Sequence, residues 1–161
     1  MKILSAKTKI LLGMIFTLMI CLMFAGCSNS ETNSTSRGLT DFAHIEEEYL
    51  ATIDSLDWPD GVELPKKLEN EDTGASFQVG YGETRASNLW EYSWMKEWLD
   101  TYNTNPERAE KALEELEKAF DMPYMGKDRC DDATRNYLRE NIDKAKLCDP
   151  SGFRECIDVN Y

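Results

Sequence analysis

Tryptophan recurs every four residues at positions 90, 94 and 98 in "LWEYSWMKEWLDTY", and that spacing narrows what the chain can fold into. Four residues turn a helix by about 400°, so these rings and Tyr102 advance about 40° per step. With Met95 and Leu99 they cover more than half of the circumference. A helix this apolar is packed on several sides, so it is expected at the centre of its domain. It starts near Gly82 and ends before Asn103. Trp90 and Trp94 are expected in the core. Trp98 is expected to show an edge, because indole favours sites with one wet side. Trp98, Tyr102 and Trp58 are therefore the candidate ligand-binding aromatics, a platform for sugar rings or a peptide.

The flanking segments carry the same helical period. In "LTDFAHIEEEYLATIDSL" the residues Phe42, Ile45, Tyr49, Leu50, Ile53 and Leu56 share one face behind Thr40 or Asp41 as N-cap. "WPDGVELP" ends that helix, and the stretch to Ala75 reads as a long ordered loop, with a short strand around residues 77–79 as the alternative. Asn105 followed by Pro106 is a helix start. Behind it Ala109, Ala112, Leu113, Leu116, Ala119 and Phe120 form a stripe, with Glu107–Lys111 and Glu114–Lys118 as i,i+4 pairs on the wet side. Pro123 stops it. "DDATRNYLRENIDKAKL" turns Ala133, Tyr137, Leu138, Asn141, Ile142 and Ala145 inward, and a short "DPSGFRECID" segment follows. The expectation is one all-α domain over residues 39–161, a small bundle of about four helices plus a long loop.

Ahead of it stands a different kind of segment. Residues 1–9 carry Lys2, Lys7 and Lys9 and no acid, residues 10–24 are apolar, and Ala25-Gly26-Cys27 leads into a polar tract. That order is the layout of an export signal, and its ending resembles the lipobox of bacterial lipoproteins, with Phe24 in place of the usual Leu. The resemblance implies cleavage after residue 26 and lipid on Cys27. Two or more acyl chains are what stable anchoring without a spanning helix requires. Residues 28–38, rich in Ser, Thr and Asn with no apolar side chain, then read as a tether. The alternative is an uncleaved anchor, since 17 apolar-leaning residues reach roughly the lower limit of a spanning helix. Either way the remainder lies outside the cytoplasm, on the cell membrane's outer face.

Without residues 1–26 the chain keeps 15 basic against 30 acidic residues, a net charge of −15. Phosphate backbones are bound by neutralising cations, so nucleic acid is excluded as a natural partner. Anionic headgroups repel the same surface. Lipid on Cys27 is thus the expected membrane attachment, and a protein partner in the envelope would present a basic surface.

Catalytic chemistry has few candidates. His44 is the single histidine, and it points away from the apolar face of its helix. A Ser-His-Asp arrangement needs a better-placed histidine, and a two-histidine zinc face needs another. A pair of carboxylates suffices for glycoside hydrolysis, and Glu83, after "GYG" at a helix start, is the first acid to test; the helix dipole alone also accounts for it. "GYGETRA" has neither the third glycine nor the clear preceding strand of a phosphate loop, and close entry of the chain into its helix explains it. "DRCDD" lacks the glycine and closing Glu of a calcium loop and serves as a helix cap. Neither a metal nor a cofactor is expected.

Cys130, Cys148 and Cys156 follow Cys27. A continuous helix would hold Cys130 and Cys148 about 27 Å apart, beyond the roughly 7 Å reach of a bridge. "DPSG" suits a type I turn, which would let Cys148 meet Cys156 and leave Cys130 free; if Asp149 and Pro150 start a helix instead, those two stay apart. The run "FQVGYGETRASNLWEYSWMKEWLD" with the later "DPSGFRE" resembles a family of small secreted or lipid-anchored proteins of Gram-positive bacteria, which share Gly-x-Gly-Glu, a following Ala and paired tryptophans on one helix. The likeness spans roughly the second half of the chain. It implies an extracytoplasmic address and a helical domain, and carries over no site. The function expected is a non-catalytic binding or interaction module of the envelope, with a glycan or small-ligand binder and a carboxylate hydrolase as alternatives.

Overall fold

The computed structural model describes residues 38–161, so the expected signal peptide, Cys27 and the tether up to residue 37 lie outside the described residues. The described part is all-α. Its helices are α1 (Phe42–Ser55), α2 (Tyr81–Thr101), α3 (Pro106–Glu117), α4 (Asp132–Lys146) and α5 (Ser151–Asn160), with 3-10 turns at Lys118–Asp121 and Pro123–Met125. A minimal ribbon ties the segment before α1 to the end of the long loop that follows it: β1 (Leu39–Thr40) pairs antiparallel with β2 (Phe77–Gln78). Among the described residues no helix is long and apolar enough to cross a membrane.

Three helices start where their side chains satisfy orphan backbone N–H groups. Asp41 accepts from His44 N at 3.0 Å, Asn105 from Arg108 N at 3.2 Å, and Asp131 from Thr134 N at 2.7 Å. The central helix α2 begins otherwise. Gly80 takes a left-handed φ of 89° and supplies no side-chain cap. Instead Glu48, reaching across from α1, accepts from Gly80 N at 2.7 Å and from Gly82 N at 3.1 Å. The helix N-terminus that "GYGETRA" builds is thus already filled by one of the chain's own carboxylates.

Gly82 is what lets α1 come that close, since a Cβ there would lie 1.9 Å from the backbone oxygen of Ile45. Gly82→Ala must push the two helices apart. It is expected to cost about 1–3 kcal/mol, as forced overpacking does, read as a lower urea midpoint with unchanged slope.

Trp90, Trp94, Met95 and Trp98 of α2 form the main core with Ala112, Leu116, Leu138, Ile142 and Phe153 of α3, α4 and α5. A separate, smaller cluster joins Ile45, Tyr49 and Ile53 of α1 to Leu68 and Ala86. The loop after α1 is fixed by indole N–H groups: Trp90 and Trp94 both donate to Asp57 O, at 2.8 and 3.2 Å, and Trp58 donates to Ile53 O at 2.9 Å. Burial of each ring is thereby matched by a partner for its one donor.

Several expectations need correction. "DPSGFRECID" forms a fifth helix, and Asp149 accepts from Ser151 N at 2.9 Å at its start. Cys148 ends α4 in an exposed left-handed conformation, φ 60°, while Cys156 lies on the buried face of α5. The expected bridge between them is absent, and Cys130, Cys148 and Cys156 are all free thiols. The inward stripe of α4 is narrower than its spacing suggests, with Ala133 and Tyr137 exposed. On α3, Lys118 pairs with Glu115 at 2.7 Å rather than Glu114, and Lys111 lies over the Trp94 ring.

Candidate functional site

The aromatic platform does not form as one surface. Trp98 is only 2 % exposed; it stacks on Tyr102 with centroids 4.7 Å apart and meets Phe153 edge-on. Both rings border a hollow of about 390 Å³ beside Leu113, Ala145 and Cys148. Trp58 packs elsewhere, between the two cores. His44 is exposed and sits 3.2 Å from Glu48, whose carboxylate is committed to the start of α2. Glu83 makes an ion pair with Arg129, so its charge is compensated within the fold. Among the described residues no three His, Cys, Asp or Glu side chains gather to hold a metal ion.

A larger cleft, of about 870 Å³, lies between α2, the Pro123–Met125 turn, α4 and α5. Glu91 of α2 lines it and is 8 % exposed. Helical spacing puts this acid on the same strip as the buried Ser87 and Met95. Its Oε1 accepts the hydroxyl of Tyr124. Among the described residues no ion pair reaches it.

A carboxyl taken out of water without a counter-charge holds its proton. Burial accordingly pushes Glu91 up to about 7, against the opposing pull of the Tyr124 hydroxyl. The surroundings respond to the same burial and charge. Tyr124 and Tyr161 are held protonated, first by burial and then by the Glu91 charge. The Cys130 thiol is pushed up by burial and then by Asp131, and the Cys156 thiol by burial and then by Glu91. Neither thiol is therefore an activated nucleophile, which needs a lowered pKa.

The remaining charges in the cleft are engaged. Arg129 pairs with Glu83 and Arg85 with Glu71, the latter at 3.2 Å. Asp131 caps α4 through Thr134 N. What is left over is the negative charge that Glu91 carries when it ionises. Sequence reasoning passes over Glu91 because the tryptophans on either side dominate the pattern. The available signal is an acid set within the buried arc of a central helix, at four residues from Met95.

No family model, curated protein or solved structure matches the chain.

Proposed function

We propose that the chain is a lipid-anchored, extracytoplasmic binding module of the cell envelope that turns over no substrate, and that its cleft around Glu91 receives a basic partner. One observation carries this reading: a desolvated carboxyl on the wall of a large cleft, with a hydroxyl beside it and no cation paired to it among the described residues. An ionised carboxylate in such a place is stabilised by whatever positive group enters. The overall acidity of the chain steers basic surfaces toward it. Anchoring rests on Cys27 and the signal-like segment before it.

Cross-linking on intact cells with fatty-acid labelling tests both halves at once. Wild type should incorporate label and Cys27→Ser should not; equal labelling of the two overturns the anchor. Capture of the partner should weaken in extracts brought to 0.5 M salt, where the screening length is about 4 Å. Salt-insensitive capture would point to an apolar contact around Tyr102 instead. A second reading is favoured by one feature, since a carboxyl poised near neutrality is what a general acid requires, with Asp131 as a second acid in the same cleft. A cell-wall hydrolytic activity abolished by Glu91→Gln in a folded protein would establish it and end the non-enzymatic one.

A further inference from the structure

We infer that the cleft takes a single alkylammonium group, of the kind a lysine side chain carries, seated against Oε2 of Glu91; this deepens the binding-module reading and rests on it. The geometry of the acid makes the choice between cations. Tyr124 occupies Oε1, while Oε2 accepts no hydrogen bond from the described residues and is not sealed from the cleft. It is the oxygen left to a ligand. A guanidinium gains its advantage from a two-pronged bond to both carboxylate oxygens. The Tyr124 hydroxyl already takes one acceptor position of Oε1, so a two-pronged donor must share that oxygen with it, whereas a compact point charge needs only Oε2.

The walls suit the rest of such a group. Met95, Met125 and Leu138 are buried apolar side chains bordering the cleft, and a lysine stem lies along apolar surface while its head stays polar. Tyr137 and Tyr161 border the cleft and are partly exposed, and Tyr161 is held across α2 by its ring against Tyr92 and by donating its hydroxyl to Asn88 O at 2.8 Å. Aromatic faces attract cations and would guide the head inward. The arginines do not oppose this, because Arg85 and Arg129 are each paired with a carboxylate.

The test uses the full chain in detergent and calorimetric titration with three probes: Nα-acetyl-lysine methylamide, its Nε-acetylated neutral counterpart, and Nα-acetyl-arginine methylamide. The expected result is binding of the lysine probe at least tenfold tighter than either of the others. Glu91→Gln should lose at least tenfold for the lysine probe, while Glu114→Gln, outside the cleft lining, leaves it unchanged. Circular dichroism of each variant separates loss of binding from loss of fold. Equal affinity for lysine and its acetylated form, or undiminished affinity in Glu91→Gln, overturns the ammonium site. If that happens while salt-sensitive capture on cells persists, only this inference falls; if capture is absent too, the binding-module reading falls with it.

Discussion

Replacing Glu91 by Gln should stabilise the domain by about 3 kcal/mol at pH 9 and leave it within about 1 kcal/mol of wild type at pH 5. Burial raises this carboxyl from 4.5 to about 7, and every tenfold gain in proton affinity is worth about 1.36 kcal/mol. The folded state therefore binds the proton more tightly than the unfolded chain does. Between about pH 4.5 and 7 the native protein holds the extra proton, so stability falls as pH rises through that window and stays at its lower value above it. Glutamine keeps the shape and an oxygen for the Tyr124 hydroxyl, and has no charge to lose. Urea melts of wild type and variant at the two pH values make the comparison. Parallel stability at both would mean that Glu91 is solvated and the cleft has no desolvated wall.

Trp94→Ala is expected to cost about 3–5 kcal/mol, the usual range for deleting a large core aromatic. The ring is 1 % exposed at the centre of the main cluster. Its removal also takes one of the two indole donors from Asp57 O, leaving Trp90 to hold the loop alone. Domains of this size are commonly stable by about 5–15 kcal/mol, so the variant should be close to unfolding. Thermal melts of residues 38–161, the described part of the chain, should show a loss of about 10 °C or more. A drop of only a degree or two would place the ring at the surface.

Local signals carried most of the architecture. Asn105-Pro106, the Thr40–Asp41 pair and the acids of "DRCDD" were readable as helix starts because a cap acts on N–H groups two or three residues away, and the structure uses Asp41 and Asp131. The aromatic spacing of α2 was readable because its packing partners demand a wide apolar arc. What stayed hidden depends on distant segments. Glu48 meets Gly80 and Gly82 more than thirty residues later, and no periodicity links them. The turn signal of "DPSG" was real, yet Asp149 and Pro150 use it to open a helix, which separates Cys148 from Cys156. Glu91 resembles any solvated glutamate until α4, α5 and Tyr124 close around it.

The two cores divide the molecule mechanically. A pull on the chain at Gly38 is first borne by the two-residue ribbon and then by α1 with its own small cluster. That load passes to α2 through the carboxylate of Glu48 and the close seat of Gly82. The next residue, Glu83, grips Arg129 at the edge of the cleft. Tension on the amino-terminal side thus has a short, bonded route to the rim of the cleft. Helices α3, α4 and α5, which complete the larger core around α2, lie off that route.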